Sequence, residues 1–169
     1  MEFDSKLHLI VFLIKEQETN QILGICEDTT LRLWNFNGEI LVVLKEHNGP
    51  ISGAKFSQDG KLFLSFGQDN IVNIYDKSGN KISKLKGHAT TIWDVNFSSD
   101  NQFIVTASGD NTSKLWAING KEIMTYSGFK ATVIKAQFSP NDKFILSASF
   151  DHTARIMPVS VEIVLDKIN

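Results

Sequence analysis

One aspartate recurs through the chain at a fixed interval: Asp28, Asp69, Asp110 and Asp151 are each 41 residues apart. Six residues after each stands a bulky side chain, Trp34, Tyr75, Trp116 and Met157. Twenty-two residues before three of them stands a ring, His47, His88 and Phe129. Phe56, Phe97 and Phe138 keep the register, as do Ser57, Ser98 and Ser139. Four such copies nearly fill the 169 residues, so the chain folds as a repeat array in which each copy buries itself against the next.

Residues 88–128 show what one copy builds. Thr91–Phe97 is β-branched and aromatic, and Ser98-Ser99-Asp100-Asn101 is a turn cluster. Phe103–Ser108 follows, and Gly109-Asp110-Asn111 turns into Ser113–Ala117. Asn119-Gly120 marks a hairpin before a fourth strand, Glu122–Tyr126. Asn-Gly implies a turn with both residues at positive φ, and Asn37-Gly38 and, more loosely, Ser78-Gly79-Asn80 repeat the signal. Helical periodicity is confined to the tail, Val161–Ile168, which reads as a fourth strand or a short closing helix. A period in the low forties with four antiparallel strands per unit is a β-propeller blade. The expected fold is all-β, about 16 strands in four four-stranded meanders. The blades fall at approximately 6–46, 47–87, 88–128 and 129–169 of one domain spanning 1–169.

These residues resemble the WD-repeat family over about residues 6–165. Its signature places a Gly-His pair before the innermost strand and a Trp-Asp pair ending the third. Gly87-His88 matches the first, while Tyr75-Asp76, Trp34-Asn35 and Trp116-Ala117 approximate the second. Ser139-Pro140-Asn141-Asp142 and Ser57-Gln58-Asp59-Gly60 are similar to the family's Ser-Pro-Asp-Gly hairpin. The resemblance implies a hydrogen-bonded tetrad of His, Ser/Thr, Asp and Trp that locks each blade. His88, Thr106, Asp110 and Trp116 form the complete set, and in His47, Ser65, Asp69 and Tyr75 a tyrosine replaces the tryptophan. The last unit keeps Ser147 and Asp151 beside Phe129 and Met157; the first keeps Asp28 and Trp34, with Gly24 and Lys6 in the other places. Terminal repeats are often atypical. The ending, from Thr153 onward, resembles the last blade of bacterial WD-repeat arrays.

Several chemistries find no support in the residue pattern. His88, Asp110 and Thr106 have the composition of a nucleophile triad, but a catalytic site is rarely copied in a neighbouring repeat, so the set reads as structural. His8, His47, His88 and His152 occupy different phases or different blades, and none has zinc-motif spacing. A strand–helix phosphate loop is also missing, so neither a metal nor a cofactor is expected. Formal charge is −2 without a Lys/Arg block, which argues against nucleic acid and anionic membranes. The longest apolar run, Leu9–Ile14, is far short of a membrane helix, and the first residues lack signal-peptide character. Cys26, the one cysteine, reads as a small core residue in a reducing, cytoplasmic setting. Arg32, Lys114 and Arg155, with Asn73 at the fourth place, read as a solvated strand face.

Function is therefore expected on the loops. The resemblance puts the loop before the first strand and the turn between the second and third on one face. Candidate contacts there are Asn48, Pro50, Asn70, Thr90, Thr91, Asn111, Lys130, Thr132 and His152. The expectation is a non-catalytic scaffold for protein partners. Its competitors are the sensor portion of a larger signalling protein and an enzyme with a site in the central funnel. An open arc of four blades would expose two apolar faces, so further blades in a longer chain are expected, or a homodimer completing an eight-bladed ring, or closure of four alone.

Overall fold

The computed structural model describes residues 10–16 and 20–159. Among them are fifteen strands and no helix, hence none long and apolar enough to cross a membrane. The first sheet holds β1 (Ile10–Glu16), β2 (Gln21–Cys26), β3 (Leu31–Asn35) and β4 (Ile40–Leu44). The second holds β5 (Ile51–Phe56), β6 (Leu62–Gly67), β7 (Ile71–Asp76) and β8 (Lys81–Lys86). The third holds β9 (Ile92–Phe97), β10 (Phe103–Ser108), β11 (Ser113–Ala117) and β12 (Glu122–Tyr126). The fourth holds β13 (Val133–Phe138), β14 (Phe144–Ser149) and β15 (Ala154–Pro158). Every neighbour in a sheet is sequential and antiparallel, and the first strands β1, β5, β9 and β13 lie beside one another. This is a partial β-propeller. The tail expected as strand or helix, 161–168, and Lys6 lie outside the described residues.

Three apolar layers hold the sheets together, each built from facing sides of two neighbours. Leu23, Ile25, Leu31 and Leu33 meet Ala54, Phe63 and Tyr75 of the second sheet. Leu64, Val72, Ile74 and Leu85 meet Ile92, Val95, Ile104 and Trp116 of the third. Val105, Leu115 and Ile123 meet Phe129, Val133, Ala136 and Ile145 of the fourth. The series stops there. Leu23, Leu64 and Val105 are buried, but Leu146, in the same repeat position, is 38% exposed. Leu33, Ile74 and Leu115 are buried, whereas Ile156 is 71% exposed. Among the described residues, the fourth sheet thus keeps the apolar positions for a further neighbour without a sheet packed on them as in the first three.

The outer hairpins differ from the sequence expectation. Only the glycines take positive φ, Gly38 at 85°, Gly79 at 85° and Gly120 at 96°; Asn37 and Asn119 do not. Each turn closes with the glycine N–H on a carbonyl three residues back, and the residue after the glycine pairs back across it: the N–H groups of Asn35, Asp76 and Ala117 donate to the carbonyls of Glu39, Asn80 and Lys121. These are type I turns followed by a left-handed glycine bulge, which need one positive φ rather than two. Asn35, Asp76 and Asn119 favour that geometry by accepting backbone N–H groups from within the turn.

A second left-handed position recurs after each repeat aspartate: Thr29, Asn70, Asn111 and His152, with φ of 64°, 65°, 65° and 66°. Asparagine tolerates this region; a β-branched threonine does not. Thr29→Asn is accordingly expected to stabilise the fold by about 1 kcal/mol, raising the melting temperature by about 2–4 °C. A thermal scan that left the midpoint in place would contradict this reading of the turn.

Candidate functional site

The repeat aspartate is the hub of each blade's loop end. Asp110 accepts His88 Nδ1–H at 2.7 Å, Ala89 N–H at 3.0 Å, and the Thr112 N–H and hydroxyl at 3.1 and 2.6 Å. Asp69 accepts His47 Nδ1–H at 3.0 Å, and the Asn48 and Ile71 N–H groups. Asp151 takes Lys130 N–H at 2.7 Å and both donors of Thr153, even though Phe129 stands in the histidine position. The carboxylate therefore ties the entry loop to the β-turn whether or not an imidazole is present.

Beyond the aspartate the blades diverge. In the third, Trp116 Nε1–H donates to Thr106 Oγ1 at 2.9 Å, and that hydroxyl lies 2.6 Å from His88 Nε2. With Nδ1–H on Asp110, Nε2 is the acceptor, and the relay runs from indole to hydroxyl to imidazole to carboxylate. In the second, Ser65 Oγ and Asn73 Nδ2 both reach His47 Nε2, at 2.8 and 3.2 Å. The Tyr75 hydroxyl meets Ser65 outside ordinary hydrogen-bond geometry, and burial pushes it up to about 12. In the fourth, Ser147 Oγ donates across the blade boundary to Ser113 Oγ at 2.9 Å. Phe129 lies under Arg155, 4.6 Å from guanidinium to ring centre.

Carboxylate, imidazole and hydroxyl in a line are the parts of a nucleophilic relay. Here the hydroxyl is fully buried, and its oxygen is already held by the indole, so no substrate atom can reach it. Burial alone would raise the Asp110 carboxyl, but hydrogen bonds from His88, Thr112 and Ala89 outweigh it and hold the group well below the usual carboxylate range. Asp151 is lowered to about 2, chiefly by the Thr153 hydroxyl and the Lys130 N–H. Burial pushes the Cys26 thiol up, in keeping with an inert core position. Among the described residues no group of three or more His, Cys, Asp or Glu could hold a metal.

The cation series is not the solvated face that its spacing suggested. Asn73 and Lys114 are buried; Lys114 Nζ reaches both oxygens of Glu122 and Thr125 Oγ1. Arg32 pairs with Asp28 at 2.6 Å, and Arg155 donates to the Gly128 carbonyl at 2.7 Å. The reason is the strand period of two: a residue two before the bulky one shares its face, and that face meets the neighbouring blade.

Of the candidate contact residues, Asn48, Pro50, Thr90, Lys130 and His152 are exposed, and Asn70, Thr91, Asn111 and Thr132 are half-buried. Asn70, Asn111 and His152 are the left-handed turn residues, and Asn70 Nδ2 also donates to the Ala89 carbonyl of the next blade. The carbonyls of Pro50, Thr91 and Thr132 accept the N–H groups of Gln68, Gly109 and Phe150 at 2.9–3.0 Å. The loop face is thus rigid.

Two aromatic residues on this face escaped the sequence reading. Trp93 is 51% exposed and Phe150 is 61% exposed. Trp93 is the extra residue of a bulge: Ile92 pairs with Ser108 and Asp94 with Ala107, leaving it unopposed. Ser52 and Ile134 are the bulged residues of β5 and β13. A bulge re-aims its side chain. The signal in the sequence was a column holding Ser52, Trp93 and Ile134, large and apolar where one repeat is small and polar.

The inner strands carry two openings. At the end opposite the loops, a cleft of about 500 Å³ is lined by one phase of three repeats, including Lys55, Asn96, Gln137 and the three register phenylalanines. Nearer the loops lies a cup of about 180 Å³ between Trp93, Phe66, Gly53, Lys55, Asp94 and Lys135. A polar waist divides them: Lys55 Nζ donates to Asp94 and to Asn96 Oδ1, both at 2.8 Å, and Asn96 Nδ2 reaches the Ala136 carbonyl at 2.6 Å.

A family model described as WD domain, G-beta repeat matches residues 38–76, 79–117 and 120–156. No curated protein matches the chain. Each match starts at the outer edge of one sheet and ends on the third strand of the next, from β4 to β7, β8 to β11 and β12 into β15. WD40 domains generally act as non-catalytic platforms for protein–protein interaction. With more than half of its residues in three matched repeats on a propeller arc, the chain belongs to the WD40 repeat family.

Proposed function

We propose that this chain is a non-catalytic scaffold that holds protein partners on the loop face, in a cytoplasmic setting and without nucleic acid, membrane or cofactor. The carrying observation is two exposed aromatic residues, Trp93 on the β9 bulge and Phe150 in the β14–β15 turn, beside loops fixed by repeated backbone and aspartate bonds. Large aromatic groups on a rigid frame are what interface anchors are made of. Asn48, Pro50, Thr90, Lys130, Thr132 and His152 would form the polar rim around them, with Asn70, Thr91 and Asn111 shaping its turns.

The test is site-specific photo-crosslinking in cells, with the crosslinker at Thr90 or His152 on the loop face, or at Lys61 or Lys143 on the opposite end. The loop positions are expected to capture a discrete set of proteins that Lys61 and Lys143 do not. Equal capture from both ends would overturn the reading. A second reading, a sensor portion of a larger signalling assembly, is favoured by one observation: Leu146 and Ile156 await a neighbour, from further blades or from a second copy.

A further inference from the structure

The cup beside Trp93 has an unbalanced charge. Asp94 is buried and already served: Lys55 Nζ at 2.8 Å and Asn96 Nδ2 at 3.1 Å hold its two oxygens, and Ala136 N–H approaches at 3.4 Å. Lys135 Nζ stands farther off, at 3.6 Å, and its side chain is 70% exposed. Two cations against one carboxylate leave the cup one positive charge in excess, and among the described residues Asp94 is the ion-pair partner of Lys135, at 3.6 Å.

The walls supply the other half of a recognition site. Trp93 stands out on its bulge, and the Phe66 ring closes the floor against Gly53. A Cβ on Gly53 would lie 2.3 Å from the Phe66 ring, so the missing side chain is what admits that ring. Apolar walls beneath a free ammonium match a group with an anionic tip and an apolar body or neighbour.

We propose that this cup takes a segment of a partner protein presenting one aspartate or glutamate beside an apolar side chain. The carboxylate lies on Lys135 Nζ, completing the balance of Lys55, Asp94 and Lys135, and the apolar group lies against Trp93. This rests on the scaffold reading and names the partner chemistry for it.

The test uses the full 169-residue chain and capped, fluorescein-labelled hexapeptide pools. One pool centres Asp or Glu beside Leu or Phe, a second replaces the acid with Asn or Gln, and a third with Lys. Trp34 and Trp116 are buried, so change in red-edge tryptophan emission reports Trp93. The acidic pool is expected to bind at least about tenfold more tightly than the amide pool and to perturb that emission. Lys135→Glu should abolish the acid preference and favour the lysine pool. Trp93→Ser, which installs the residue found at Ser52, should weaken all binding at least about tenfold, with the unfolding midpoint of each variant measured alongside.

Equal affinity for acid and amide, an unchanged preference in Lys135→Glu, or no binding by any pool would each overturn the proposal. The scaffold reading falls separately. Loop-face crosslinking without acid-selective peptide binding leaves the scaffold standing and removes the cup; acid-selective binding without face-selective crosslinking does the reverse.

Discussion

Asp110→Ala is expected to lower stability by about 3–5 kcal/mol, the largest loss of any single polar substitution in the chain. Four donors converge on that carboxylate, and alanine strands the His88 Nδ1–H on a side chain that is 1% exposed. Asp110→Asn keeps the shape but loses the charge, and its single amide oxygen can accept from only some of those donors while its NH2 faces the others as a second donor. The same carboxylate dictates a pH signature. Its folded pKa lies below the ordinary 3.8, so its contribution is complete above about pH 4 and fades as pH falls through the folded value. Asp151, lowered to about 2, acts in the same direction over about pH 4 to 2. Urea midpoints measured from pH 6 to 2 should therefore fall on acidification, and the fall should be shallower in Asp110→Asn. Equal slopes, or an unchanged midpoint for Asp110→Ala, would dissolve the hub.

The second large effect contrasts two leucines with one role in the repeat. Leu64→Asp buries a carboxylate between the second and third blades and should cost at least about 4 kcal/mol, enough to threaten folding. Leu146→Asp, the equivalent change in the fourth blade, should cost far less, because a side chain 38% exposed leaves the carboxylate access to water. The unaltered chain is expected to self-associate through this face, and combining Leu146→Asp with Ile156→Asp should remove that, leaving an 18.9 kDa species by light scattering. If the doubly substituted chain still associated, or if Leu64→Asp were as stable as the parent, the open face would be misassigned.

What the sequence discloses here depends on whether a feature repeats. The aspartate hub, the bulky third-strand residue and the strand boundaries of residues 88–128 recur every 41 residues, and alignment of the copies finds them. Lys55, Asp94 and Lys135 do not recur. In repeat register Gly53 aligns with Asp94 and Lys135, and Lys55 aligns with Asn96 and Gln137, so no column announces a charge cluster. The contact exists because Asp94 lies between two neighbouring blades, meeting Lys55 of one two positions out of phase and Lys135 of the other in phase. Trp93 was hidden for another reason: a bulge breaks alternation, and the inside–outside pattern of β9 is not readable without its pairing to β10. The burial of Asn73 and Lys114 was missed because charge and amide suggest solvent, while their shared face with Tyr75 and Trp116 decides otherwise.

The offset between the matched repeats and the sheets has a genealogical consequence. Each 38–76, 79–117 or 120–156 segment carries the outer edge of one sheet and three strands of the next, so the unit that can be copied is not the unit that folds. Duplicating or deleting one such segment at the outer hairpins would change the number of blades while every sheet stayed whole. The same overlap makes each inherited copy a covalent clasp between neighbours. Lineages can thus lengthen or shorten the arc in single steps, with loop faces diversifying afterwards on a frame that never had to be rebuilt.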